Sequence, residues 1–160
     1  MAKVKAQITQ ILNNIIKDVR SQVAKQRMQL LANEALRLIL ERTRAGFGVK
    51  DSGGRISKLK KLSPKYVAYR KRNRRLLSST TSPETSNVTF TGQMLESLKV
   101  QQAANGRASI RAPGKHKSGP SNEKIVLYLA GQGRVFLNLS KTEVDKLLYF
   151  YETRLVKLKR

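Results

Sequence analysis

The chain has no cysteine and no tryptophan, a single histidine, and only 10 acidic side chains among 160 residues. Without cysteine there is neither a disulfide framework nor a thiolate metal site, which fits a reducing compartment. One histidine and a few scattered carboxylates leave little from which to build an acid–base pair. No zinc spacing, Walker loop or nucleophile elbow occurs. His116 lies in a loop between Lys115 and Lys117, while Glu34, Glu41, Glu96, Glu123, Glu143 and Glu152 are spread apart, mostly on expected helices. Neither catalysis nor a cofactor is therefore expected. No apolar run is long enough to span a membrane and no signal-peptide core opens the sequence, so a soluble protein made inside the cell is expected. With aromatics at 6%, the core must rest on Leu, Ile and Val.

What the chain has in excess is positive charge: 33 basic residues give a net charge of +23. The excess peaks in residues 46–90, which hold 11 basic and 2 acidic side chains. Lys58, Lys60, Lys61, Lys65, Arg70, Lys71, Arg72, Arg74 and Arg75 crowd together there. Such a density predicts contact with a polyanion or an acidic protein surface, against the alternative of a merely solvated face.

At this length one domain is expected, in four regions: 1–45 helical, 46–90 an extended basic loop, 91–139 a corner, hairpin and strand, and 140–160 a terminal helix. Val4, Ile8, Ile11, Leu12, Ile15, Ile16, Val19 and Val23 recur at helical spacing, continued by Leu31, Ala35 and Leu38. An unbroken helix over residues 3–44 would be roughly 60 Å long, against about 40 Å for a globule of this size. It must kink near Asp18–Ser21 or overhang onto a neighbouring subunit. Gly46 and Gly48 should end it, with a turn at 51–54. In the basic loop, Ser63-Pro64 predicts the start of one short helix over Tyr66, Val67 and Tyr69. Residues 78–87 read as a polar loop without apolar anchors.

The stretch TGQMLESLKV, 91–100, raises the possibility of a phosphate loop, but Gly92 stands alone without the glycines or lysine that such a loop needs. A local reading fits better. Thr91 accepts a bond from the N–H of Gln93 or Met94, and Met94, Leu95 and Leu98 line one side of a single turn. Beyond it, Asn105-Gly106 predicts a hairpin whose three-residue loop pairs Val100 with Ile110 and Gln102 with Ala108, keeping one apolar face. Residues 113–123 read as a mobile basic loop, and 124–133 are ambiguous between helix and strand. RVFLNLS predicts a strand with Val135, Leu137 and Leu139 on one face and Phe136 on the other. Ser140 to Glu143 form a capping box before a helix striped by Val144, Leu147, Leu148, Tyr151, Leu155 and Leu158. The fold class is α+β: long N-terminal and C-terminal helices on a small antiparallel sheet, with a long basic loop.

Tyr66 and Tyr69 beside Lys65 and Arg70 leave a cellular nucleic-acid-binding role, ribosomal or nucleoid, as an alternative, although no RNA-recognition, KH or double-stranded-RNA module is present. The order of segments is more specific. A basic helix leads into a glycine turn, the LSP element at 62–64 and a basic stretch. There follow the stretch TGQMLESL, with Thr91, Gly92, Leu95 and Leu98, similar to a corner of the type TG-x-L-x-x-S-L, a hairpin, Gly131 or Gly133, then Arg134, Phe136, Leu137, Leu139 and Ser140, and the helix begun by Glu143. Over residues 40–158 this resembles the tail-completion and virion-morphogenesis proteins of tailed bacteriophages. The aromatic that the family carries after the glycine turn is here Ile56 or Leu59, and the proline before the Phe is Val135. The resemblance implies a non-catalytic structural subunit of the virion neck, assembled in the host cytoplasm. It would form a sixfold or twelvefold ring between the portal or adaptor side of the head and the tail, with non-specific DNA contact and no membrane.

Overall fold

A computed structural model describes residues 2–50, 54–101, 107–115 and 119–155, with side chains from residue 22 onward. The fold is α+β, as the segment pattern predicts: a long N-terminal helix and a C-terminal helix enclose a few short antiparallel strands.

Helix α1 runs unbroken from Ala2 to Arg44, through the stretch where a kink was one of two expectations. Burial begins late along it. Gln22 to Gln26 and Leu30 are exposed, Val23 included, whereas Ala32, Ala35, Leu38 and Ile39 are buried. From Gln22 to Gln26 the helix therefore projects beyond the packed body, which it meets from Met28 onward.

Gly46, left-handed at φ 86°, ends the helix and starts β1 (Phe47–Lys50), which pairs antiparallel with β2 (Arg55–Lys58). Gly48 does not terminate α1. It lies inside β1, where a Cβ would stand 2.5 Å from the carbonyl oxygen of Val135. Residues 46–90 are thus not the extended excursion expected from their charge. After the hairpin come α2 (Pro64–Arg72) and a 3-10 turn, Arg74–Leu76. The hairpin escaped sequence reading because each strand has four residues, too few for a clear alternation. Its packing comes from Val49 and from Leu59, whose N–H bonds Gly46 O at 2.9 Å.

The corner at 91–98 is the centre of the core. Its one-turn helix, α3 (Gln93–Glu96), inserts Met94 and Leu95, which cluster with Leu98, Ala112 and Phe136. A second cluster of Ala35, Leu38 and Leu147 joins the first through the half-buried Ile110. Strands β3 (Lys99–Gln101) and β4 (Ser109–Arg111) pair with Val100 opposite Ile110, the register that keeps one apolar face. The Asn105-Gly106 turn, the Gln102–Ala108 pair and His116 fall on or involve residues outside those described. The two ladders are separate, not one sheet.

The ambiguous run resolves as helix α4 (Asn122–Gly131), capped by Ser121, whose side chain accepts from Lys124 N at 3.3 Å. The preceding loop is closed by a bridge between Lys115 and Ser121. The expected strand over 134–139 does not form. That segment bends at 137–138, and its backbone bonds are single ones to separate partners: Arg134 N–H to Leu129 O (2.9 Å), Val49 N–H to Val135 O (2.9 Å) and, just beyond it, Lys141 N–H to Gly54 O (3.0 Å). A ladder needs repeated bonds to a neighbouring strand, and here the contact with β1 stops at Val135 because the chain bends at 137–138. Phe136, 1% exposed, enters the core more deeply than Val135, Leu137 or Leu139.

Helix α5 (Lys141–Phe150), followed by a π-turn (Tyr151–Leu155), begins at the predicted capping box. Of its expected stripe, Leu147 and Leu155 are buried, but Val144, Leu148 and Tyr151 are exposed; Leu158 lies outside the described residues.

Candidate functional site

Ser63 caps α2 by accepting from Tyr66 N at 3.3 Å, and Pro64 occupies the first turn. The last turn carries Arg70, Lys71 and Arg72, which suits the negative end of the helix dipole. Asn73 ends it, donating from both its backbone N–H and its side chain to Tyr69 O. Just before α2, the backbone of Lys60 and Lys61 is held by side chains from distant segments. Lys60 O accepts from Ser86 Oγ (2.6 Å) and Arg134 Nε (3.4 Å), and Lys61 O from Arg134 Nη2 (3.1 Å).

This frame brings Lys58, Lys60, Lys61, Lys65, Lys71, Arg72, Arg74 and Arg75 to the surface, all exposed. Lys71 already pairs with Glu84 at 2.7 Å, and its hydrogen bond and charge hold the Glu84 carboxyl below the usual carboxylate range.

Arg70 does not belong to that face. It is 2% exposed, and its guanidinium donates to Thr85 O (3.0 Å), Thr81 Oγ1 (3.0 Å) and Thr89 O (2.9 Å). Those bonds, through Thr81 and Thr85, anchor the polar stretch 78–87, which has no apolar anchors of its own, and through Thr89 the segment just beyond it. Asn87, buried, completes the clamp by bonding Thr80 O at 3.2 Å. The Arg70 guanidinium also lies 5.9 Å from the ring centre of Tyr66 and 6.0 Å from that of Phe90. Tyr66 and Tyr69 stack on each other, and Tyr69 leans on Phe90. Burial pushes the Arg70 pKa down, since no carboxylate faces it among the described residues.

Above this clamp opens a cleft of about 370 Å³. Leu62 and Tyr66 form one wall, Val88 and Phe90 another, and Ile125 and Leu129 of α4 a third. Arg70 and Arg134 are its charged lining residues, and none of the described lining residues is acidic.

The other motif residues are structural. Thr91 Oγ1 accepts from Gln93 N at 3.4 Å, and Gly92 takes a left-handed turn at φ 85°. A side chain there would be strained and would meet Glu96. Leu95, Leu98 and Phe136 are core, and Leu137 packs against them. Ser140 and Glu143 make a capping box in which Glu143 Oε2 accepts from Ser140 N (2.7 Å) and Ser140 Oγ (2.8 Å). The same carboxylate takes a buried ion pair from Arg42, which further donates to Phe136 O and to Asn138 O (2.9 Å). Sequence reasoning missed Arg42, although it lies four residues beyond Leu38 in the register of the α1 stripe. Arg70 had the same signal, four residues beyond Tyr66.

Among the described residues no group of three or more His, Asp or Glu is placed to hold a metal, and no helix is long and apolar enough to cross a membrane. Comparison of the chain with protein-family models, with curated proteins and with solved structures finds no match in any of the three.

Proposed function

We propose that the chain is a non-catalytic, ring-forming subunit of the neck of a tailed-bacteriophage virion, joining the portal side of the head to the tail around the DNA channel. The observation that carries this reading is the cationic surface of residues 58–75, from β2 through α2 to the 3-10 turn: eight exposed cationic side chains, of which only Lys71 has an ion-pair partner among the described residues. Charge held so densely on a rigid frame stays unfavourable until a polyanion or an acidic neighbour meets it. Two further features support it. The order of motifs resembles that of tail-completion proteins, and α1 carries an overhang that its own body does not cover. Contact with DNA in a shared channel would be to phosphate alone and would weaken steeply with salt.

Replacing Lys60, Lys61, Arg74 and Arg75 by Gln tests the reading, because all four side chains are exposed and leave the core untouched. The expected result is an intact fold with failed head-to-tail joining or loss of packaged DNA. Fully infectious particles carrying the substituted protein would reduce the patch to a solvated face. A second reading, a cellular nucleic-acid-binding protein, draws on Tyr66 and Tyr69, which are 40% and 44% exposed beside Lys65. Tight preference for one nucleic-acid sequence at physiological salt would favour it over the neck.

A further inference from the structure

We infer that the cleft between α2 and α4 receives the outward face of α5 from a second copy of the chain. This rests on the reading of the chain as a ring subunit, and specifies the contact that would build the ring.

The cleft presents an unusual combination. Its walls are apolar, and at its base lies a guanidinium whose three bonds all go to neutral oxygens. Arg70 Nε is buried without a hydrogen-bond partner, and Arg134 adds a second cation. A buried charge without a counter-ion is costly, and a carboxylate brought from outside offsets that cost. A phosphate backbone is a poor occupant, because it would lose hydration against Leu62, Phe90 and Leu129 without apolar surface of its own to bury. The fitting occupant has apolar side chains next to carboxylates.

Such a surface is scarce on a chain with 10 acidic residues. Glu34 and Glu41 are engaged by Arg37, Glu84 by Lys71, and Glu143 by Arg42, while Glu96 belongs to the corner beside Gly92 and Glu123 to α4, which itself walls the cleft. On α5 and the π-turn that continues it, however, Asp145, Leu148, Tyr149 and Glu152 share one face, away from the buried Leu147, with Asp145 and Tyr149 bordering the open groove beside α1. Leu148 is 56% exposed and Tyr149 69%, and both acids are exposed without an ion pair among the described residues. The stripe reads acid, apolar, apolar, acid. Leu148 and Tyr149 would enter the cleft while the flanking carboxylates meet Arg134 and approach Arg70. Tyr128, 67% exposed next to Leu129, extends the apolar surface at the rim beyond what a small ligand would cover.

Cleft and stripe are different patches of one molecule, so their contact is heterologous and propagates from copy to copy until it closes. That predicts an outcome that a symmetric dimer cannot give. In the full-length protein, Leu148→Lys disables the stripe and Leu129→Lys disables the cleft. By sedimentation velocity, with circular dichroism to verify folding, wild type should form assemblies larger than a dimer. Each variant alone should be monomeric, with self-affinity weakened about tenfold or more. An equimolar mixture should form a one-to-one pair and nothing larger. Should the cleft variant fail to fold, Asp145→Lys with Glu152→Lys supplies a second, fully exposed disruption of the stripe. Wild type that stays monomeric at high micromolar concentration, or stripe variants that assemble like wild type, would overturn the inference. The neck reading is judged separately, by where the chain lies in an image reconstruction of the particle. A neck ring whose α5 faces solvent would sink this contact alone, whereas α5-dependent assemblies absent from the neck would sink the placement.

Discussion

Two buried arginines organise this protein, and they are compensated in opposite ways. Arg42, at the end of α1, faces the carboxylate of Glu143 in a node where both side chains are about 5% exposed. Arg70, at the end of α2, is equally buried and has only carbonyl and hydroxyl oxygens around it. The first node has its charge compensated and ties α1, the 134–139 segment and the α5 cap together, although Arg42 Nε, like Arg70 Nε, is buried without a hydrogen-bond partner. The second node is open, and it lies under the cleft. Two residues of one type and equal burial thus do different things according to whether an acid comes with them.

The strongest way to break the comparison is Arg42→Ala. Removing one partner of a buried pair leaves Glu143 uncompensated, and a loss of about 3–5 kcal/mol in unfolding free energy is expected from denaturant titration. Replacing the pair together, Arg42→Met with Glu143→Leu, should cost distinctly less than the single change. The residual loss would come from the α5 cap, about 1 kcal/mol. If the double variant is as unstable as the single one, the node does not act as an ion pair.

Arg70→Ala should come next, at about 1–3 kcal/mol, because it deletes bonds to three acceptors but also removes an unpaired buried charge. Its effect should be local. Hydrogen exchange should rise across 78–90 while the α1–α5 contact stays protected; loss of protection throughout would place Arg70 in the same class as Arg42.

The smallest effect belongs to a third arginine. Arg37 is exposed and bonds both Glu34 and Glu41. Its hydrogen bond and charge hold the Glu34 carboxyl below the usual range. A depressed folded-state pKa gives stability that is present above the ordinary glutamate range and is lost as pH falls through the lowered value. In water this is worth up to about 1 kcal/mol. Arg37→Gln should lower stability at neutral pH by up to that amount and leave it nearly unchanged at pH below the lowered Glu34 range, so the acid limb of the profile becomes flatter.

Much of the frame was legible because its signals are local. Ser63-Pro64 starts α2, Ser140 with Glu143 starts α5, and the need for one apolar face fixes Val100 opposite Ile110. What stayed hidden depends on distant partners. The 134–139 segment has the alternation of a strand but touches β1 through the single bond from Val49 N–H to Val135 O before it bends at 137–138, and the pattern alone could not reveal that. Arg70 was counted with the basic face because a run of cations looks uniform in sequence. Only the carbonyls of Thr85 and Thr89, which fold back over α2, single it out. The cleft was illegible for the same reason, since its walls come from three stretches that sequence alone does not bring together.

Glu143 lies 101 residues beyond Arg42. That separation gives the closed node a place in time as well as in space. Until Glu143 arrives, the Arg42 guanidinium does best by staying hydrated, so the last turn of α1 cannot dock on Phe136 and Asn138 ahead of α5. Docking of α1 and closure of the body become one late, cooperative event with a large entropy of loop closure, and a contact of such long range slows folding. A substitution at this node therefore shows mainly as faster unfolding, with the rate of folding little changed.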